Sequence, residues 1–182
     1  MSRLLERYRQ EIVPKMMEKF GYRNKMRVPK LHKIVVSMGV GSATQDGKKL
    51  ESAMRDLALV TGQKPKYTKA RKSVAGFKLR KGQSIGCLVT LRGTRLYEFL
   101  DRLINITIPR VRDFRGLSPD SFDPDGNYSL GLPDQYVFPE ISVDKVEFPQ
   151  GVNITLVIDK SSREESRELL SLFGVPFAGT ER

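Results

Sequence analysis

The residues best placed to do chemistry in this chain are cations. Lys64, Lys66, Lys69, Arg71, Lys72, Lys78, Arg80, Lys81, Arg92 and Arg95 share one interval, and no acidic residue occurs between Asp56 and Glu98. Cations crowded together without counter-charges repel, so a segment of this kind calls for a polyanion to neutralise it. Tyr67 and Phe77 stand among the cations, and Gly76 and Gly82 let the backbone bend. The centre therefore reads as a mobile basic loop. Cations suit phosphates, and an aromatic ring suits an unpaired base, so the implied ligand is nucleic acid. The competing reading is a charged hairpin that meets only solvent.

Other chemistry lacks its parts. The one histidine, His32, sits in an apolar strand with no Gly-x-Ser-x-Gly element and no acid beside it in the sequence, so a structural role is expected and no catalytic residue is assigned. Cys87 is the only cysteine, which excludes an intrachain disulfide. With His32 as the only other soft ligand, no zinc or iron site can be assembled. Gly39-Val40-Gly41 after a strand invites comparison with a dinucleotide fingerprint. Thr44 stands where the third glycine belongs, and no acid follows on a second strand, so no cofactor is expected. Those glycines would still let backbone amides approach an RNA phosphate. The protein is expected to bind rather than react.

The elements that hold these residues follow from apolar spacing. Leu4, Leu5, Tyr8, Ile12, Met16 and Phe20 recur at helical intervals, predicting a helix from Ser2 to Phe20 with a kink at Pro14 and a stop at Gly21. The segment Tyr22 to Pro29, with Arg23, Lys25 and Arg27, reads as a basic linker. Leu31 to Met38 reads as a strand with Ile34, Val36 and Met38 inward and Lys33, Val35 and Ser37 outward. Asp46 and Gly47 open a second helix that Gly62 closes. Strands at Lys64 to Lys69 and Gln83 to Arg92 flank the basic loop, the latter with Cys87, Val89 and Leu91 inward and Leu88, Thr90 and Arg92 outward. Lys33, Ser37, Thr90 and Arg92 thus collect on one sheet face, with Gln63 close by. Hydroxyls and cations at fixed strand spacing can contact sugars and phosphates, although an ordinary solvated face has the same pattern. A third helix carries Leu96, Phe99, Leu100, Leu103 and Ile104 and ends at Pro109. Asp113 to Gln135 reads as irregular, Tyr136 to Glu147 and Val152 to Asp159 as strands, and Ser162 with Glu165 as the capping box of a last helix.

Length and charge frame these elements. A chain of 182 residues fits one domain, at about 150 residues per domain, and its 39% hydrophobic residues and 15 glycines can build a core. No apolar run suffices for a membrane span, and Met1 to Phe20 is charged throughout, so a cytoplasmic location without membrane contact is expected. The net charge of +11 is uneven. Residues 1–97 carry 23 Lys and Arg against 6 Asp and Glu, whereas residues 98–182 carry 9 against 15. Asp120, Asp123, Asp125, Asp134, Glu140 and Asp144 fall in an interval free of Lys and Arg, which suits solvent or a basic protein.

Several separated motifs carry a family resemblance. They are PKLHKIVVSMGVGSA (Pro29 to Ala43), TGQKP (Thr61 to Pro65), TKARKSVAGFKLRKG (Thr68 to Gly82), RDFRGLS (Arg112 to Ser118), GNYSLG (Gly126 to Gly131) and FPEI (Phe138 to Ile141). In order and separation the chain resembles the bacterial large-subunit ribosomal protein five family, along essentially its whole length.

The resemblance implies an α+β fold, an antiparallel sheet of about four to five strands with helices packed on one face and a long basic hairpin loop. It implies a single ribosomal protein domain over residues 1–182, with its basic half, 1–97, facing RNA and its acidic half 98–182. The implied function is to bind 5S rRNA and help seat it in the central protuberance of the large subunit, among 23S rRNA and neighbouring proteins. Carried onto this sequence, the family's 5S rRNA contacts are Lys33, Ser37, Gln63, Thr90 and Arg92. Its basic loop approaches P-site tRNA, which maps onto Lys69, Arg71, Lys72, Lys78, Arg80 and Lys81. Its later segments touch small-subunit ribosomal protein thirteen. Ser37 departs from the family, where asparagine is common, so a bidentate contact shrinks to a single hydroxyl. The rival class is an RNA-acting enzyme or RNA chaperone outside the ribosome.

Overall fold

Alternating burial decides the strands. The computed structural model describes residues 2–44, 46–142, 146, 148–159 and 161–178. In it β1 (Lys30–Gly39) buries Ile34, Val36 and Met38, with Lys33, Val35 and Ser37 half-buried on its other side. β2 (Lys66–Lys69) and β3 (Ser84–Leu91) pair antiparallel on either side of the basic loop. β3 buries Cys87, Val89 and Leu91 and leaves Leu88 and Thr90 half-buried, as expected. With β4 (Tyr128–Leu132) and β5 (Val152–Asp159) these form a five-stranded antiparallel sheet in the order β2-β3-β1-β5-β4. β3 separates β1 from β2, so the crossover between them is a split β-α-β unit.

Two expectations about the second half are corrected. Among the described residues of Tyr136 to Glu147 there is no strand: Gln135–Val137 form a 3-10 turn and bends follow, while residues 143–145 and 147, Asp144 among them, lie outside the described residues. Pro139, which lacks a backbone donor, falls where a ladder would have to run. The stretch expected to be irregular instead supplies β4, where buried Tyr128, Leu130 and Leu132 alternate with exposed Ser129 and Gly131. The glycine that disguised this strand sits beside β5, where an added Cβ would lie 3.4 Å from Asn153 Oδ1.

The helices depart from simple α geometry at their prolines. The first consists of α1 (Arg3–Arg7), a π turn at Tyr8–Ile12 and α2 (Val13–Phe20). The Val13 N–H reaches Tyr8 O, five residues back, directly before Pro14, which has no N–H to give. The device recurs. After α3 (Gly47–Thr61), α4 (Thr94–Arg102) passes into a π turn at Leu103–Thr107, where the Ile108 N–H bonds Leu103 O directly before Pro109. Pro109 does not end the helical path, which closes with a 3-10 turn at Ile108–Arg110. α3 begins and ends as expected, with the Asp46 side chain accepting from Lys48 N and Gly62 left-handed at φ +63°. α5 (Arg163–Phe173) opens with the expected Ser162–Glu165 capping box.

Backbone contacts group the chain into two units. The first takes Met1–Ile34, Leu91–Leu130 and Thr155–Arg182. Its core includes Ile12, Met16, Leu96, Phe99, Leu100, Leu103, Leu169, Leu170 and Phe173. Tyr8 stacks on Phe173 at 5.9 Å, and Lys19 pairs with Glu168 at 2.7 Å. Here too the irregular stretch before β4 is held. Leu117 N donates to Pro176 O at 2.8 Å, Ala178 N donates to Leu117 O at 2.9 Å, and the Tyr128 hydroxyl donates to Ser118 O at 2.9 Å. Gly116, at φ +102°, allows this approach, since a Cβ would stand 2.6 Å from Ala178 N.

The second unit takes Val35–Thr90 and Gly131–Ile154. Its core joins Val36, Met38 and Val40 with Leu50, Ala53, Leu57 and Val60 of α3, Cys87 and Val89 of β3, and Phe138, Ile141 and Val152.

Candidate nucleic-acid interface

The basic loop begins as a ladder. Lys66 pairs with Leu88, Tyr67 with Cys87 and Thr68 with Gly86, and the register shifts at Lys69, which pairs with Ser84. β2 lies at the sheet edge, where Lys66 and Lys69 are exposed; lysines there discourage pairing with another strand and offer charge to a ligand. Beyond the ladder Ala70 N donates to Gln83 O at 2.8 Å and Gly82 N to Ala70 O at 2.9 Å. Further out Val74 bridges Leu79, Lys81 N donates to Ser73 Oγ at 2.9 Å, and Lys78 closes a 3-10 turn at Ala75–Phe77 with φ +51°. The loop is thus a small hairpin on a hairpin, more internally bonded than a free linker.

Its charges face water. Lys69, Arg71, Lys72, Lys78, Arg80 and Lys81 are all exposed, and Phe77 is 77% exposed at the tip. An exposed ring amid six cations costs apolar hydration in the free protein and is available for stacking on a base.

One glycine sets how closely the strands can lie. A Cβ on Gly86 would stand 2.6 Å from Met38 O and 2.8 Å from Thr68 Oγ1. No larger residue fits between β1 and β2 at that point. On the same unit Gln63 Nε2 donates to Thr90 O at 3.3 Å, which fixes a carboxamide beside the half-buried Thr90. Ser37 is half-buried on β1. Of the five sheet-face residues the second unit holds these three, while Lys33 and Arg92 belong to the first. Arg92 is exposed one residue beyond β3, whose last residue is Leu91.

Cys87 and His32 stay outside the interface. Burial pushes the Cys87 thiol up to about 11, with Asp56 adding and a Met38 backbone bond opposing, so it remains a neutral core group. His32 Nδ1 lies 3.4 Å from Asp159 Oδ2, both side chains partly exposed. Among the described residues no group of three His, Cys, Asp or Glu side chains could hold a metal, and no helix is long and apolar enough to cross a membrane.

The segment Tyr22 to Pro29, expected to be a basic linker, is instead a fixed turn. Lys25–Arg27 form a 3-10 helix, and the Asn24 side chain accepts from Met26 N at 2.9 Å. The sequence does carry a signal for it, because asparagine two residues before an amide it can cap is an Asx turn.

Comparison with known proteins agrees with this picture along the chain. A family model described as ribosomal protein L5 matches residues 24–80, and one described as the ribosomal L5P family C-terminus matches residues 84–177. The large ribosomal subunit protein uL5 of Rubrobacter xylanophilus is 59% identical over 177 residues, 97% of this chain and 98% of that protein. The proteins of the same name from Syntrophomonas wolfei and Carboxydothermus hydrogenoformans are 57% and 56% identical, covering 97% and 98% of this chain and 99% of each relative.

Proposed function

Because this chain belongs to the ribosomal protein L5 family, a structural and non-enzymatic component of the large ribosomal subunit in the cytoplasm, we propose that it attaches 5S rRNA in the central protuberance. The RNA-acting enzyme considered above falls away with that membership.

In this reading Lys33, Ser37, Gln63, Thr90 and Arg92 contact 5S rRNA. The observation that carries it is the Gln63–Thr90 hydrogen bond, which holds a carboxamide on a half-buried strand position at a cost already met in the free protein. Groups fixed before binding lose little entropy when RNA arrives. Ser37 contributes one hydroxyl where asparagine would offer two groups.

The loop cations Lys69, Arg71, Lys72, Lys78, Arg80 and Lys81 reach P-site tRNA, with Phe77 at the tip. They are exposed on a narrow hairpin that needs no contact with 5S rRNA to stay folded. The acid-rich later segments suit a basic partner, small-subunit ribosomal protein thirteen. Neighbouring central-protuberance proteins and 23S rRNA complete the surroundings.

Footprinting on 5S rRNA tests the reading. Wild-type protein should protect a discrete set of nucleotides, and a variant with Lys69, Arg71 and Lys72 neutralised should protect the same set. A diffuse footprint, or one that vanishes in the loop variant, would refute the division between strands and loop.

A further inference from the structure

A second acid-free interval runs from Glu18 to Asp46 and contains Lys19, Arg23, Lys25, Arg27, Lys30 and Lys33. Within it Arg23 to Arg27 are all exposed, while the residues on either side, Tyr22, Val28 and Pro29, are buried. Five exposed residues are therefore pinned at both ends. At one end the Tyr22 hydroxyl donates to the Glu165 carboxylate, and the Arg27 guanidinium lies 5.8 Å from the Tyr22 ring centre. At the other, the Tyr8 hydroxyl donates to Pro29 O at 3.0 Å. Inside, Arg27 N donates to Asn24 O at 3.0 Å and Val28 N to Lys25 O at 3.3 Å, with the Asn24 side chain capping Met26 N.

Of the cations here, Arg27 is engaged electrostatically with Tyr22 and Glu165. Among the described residues no carboxylate forms an ion pair with Arg23, Lys25 or Lys30. Between the cations Met26 is 73% exposed, an apolar side chain that packs on little of its own chain. A rigid backbone presenting unpaired cations around one apolar side chain matches an RNA backbone, where phosphates alternate with the apolar edges of sugars. A lipid surface would need a longer apolar face than one methionine.

We propose that the turn Arg23–Arg27 is a second RNA-binding element, which takes the phosphates of an RNA segment other than the one held by the sheet face and sets Met26 against a sugar. The proposal rests on the reading of the chain as an RNA-binding ribosomal protein.

The test uses the full chain bound to 5S rRNA, so that the sheet-face contacts are occupied, and titrates it with a short labelled RNA duplex over a range of salt. The double variant Arg23→Gln/Lys25→Gln should bind the duplex about tenfold more weakly, with a salt slope lower by about 1.8, as expected when two phosphates are no longer neutralised. Its melting temperature and its affinity for 5S rRNA should match wild type, and Met26→Ala should weaken duplex binding without changing the slope. An unchanged slope and affinity for the duplex would overturn the proposal. So would an equal weakening on 5S rRNA, which would merge the turn with the first interface, or a weakening confined to a polyglutamate probe, which would assign it to an acidic protein. If no 5S complex forms, the 5S reading fails, and the same duplex titration on the protein alone still decides the turn.

Discussion

The hydroxyl of Tyr22 donates to the carboxylate of Glu165, 143 positions further along the chain. Glu165 is also the third residue of α5, where it completes the capping box with Ser162, so one carboxylate both closes a helix end and anchors the basic turn. Burial alone would raise its pKa; the hydrogen bonds from Tyr22 and Ser162 outweigh that and hold it below the usual glutamate range. Burial and the bond to Glu165 push the Tyr22 phenol well above its ordinary value, so it stays a donor at any physiological pH.

Tyr22→Phe should therefore cost about 1 to 2 kcal/mol, because it leaves a carboxylate oxygen without its donor. The pH dependence gives a sharper readout. A carboxylate with a depressed folded pKa contributes stability that is present above its unfolded value and is lost as pH falls through the folded one. In Tyr22→Phe that window narrows, so the stability lost on going from neutral pH to pH 3 should be smaller than in wild type. Denaturant unfolding between neutral pH and pH 3 measures it, and superimposable acid limbs would show that the bond does not hold the carboxylate down.

Gly86→Ala should destabilise the second unit by about 1 to 3 kcal/mol or more, the range for forcing extra volume into a packed site. The added Cβ would meet Met38 O, a backbone atom with no rotamer to escape through. Ala substituted for Gly76, whose Cβ would meet nothing within 4 Å, is the control and should be near neutral. Comparable destabilisation by both would mean that close strand approach is not what Gly86 provides.

Cys87 should be silent toward thiol reagents in the native state. Its side chain is fully buried and its pKa is pushed up to about 11 by burial, so both access and thiolate are missing at pH 8. Labelling should appear only when denaturant unfolds the protein, at the rate of unfolding. Rapid native labelling would contradict the packing of β3.

Strand and loop cations should separate in binding. Arg92→Ala should weaken 5S rRNA by about 1 to 3 kcal/mol, the scale of a charged hydrogen bond. Neutralising Lys69 and Arg71 should leave that affinity nearly unchanged while flattening the salt dependence of tRNA binding by about 0.7 to 0.9 for each phosphate no longer neutralised. Equal weakening of 5S rRNA binding in both variants would collapse the distinction.

The strands around the proposed interface were legible because burial there alternates cleanly: Ile34, Val36 and Met38 on β1, and Cys87, Val89 and Leu91 on β3, follow the two-residue period. Helix ends were legible where one residue type does one job, as with Asp46, Gly62 and the pair Ser162–Glu165. β4 was hidden because five residues containing a glycine, amid prolines, give too short a signal, and its edge is settled by pairing with β5. The π turns were hidden for another reason: a proline announces a broken hydrogen bond but not which donor moves to repair it. The turn Arg23–Arg27 resembles a linker in sequence because its rigidity comes from Tyr8 and Glu165, residues distant along the chain.

Specific recognition of 5S rRNA, rather than attraction of RNA by charge alone, is the role proposed for this protein. The most direct measurement is a competition between 5S rRNA and shuffled transcripts of equal length for the purified full chain, repeated as salt is raised. A preference for 5S rRNA that persists or grows with salt is expected, because the sheet-face hydrogen bonds are screened less than phosphate contacts. Equal affinities for both RNAs, falling together as salt increases, would contradict it.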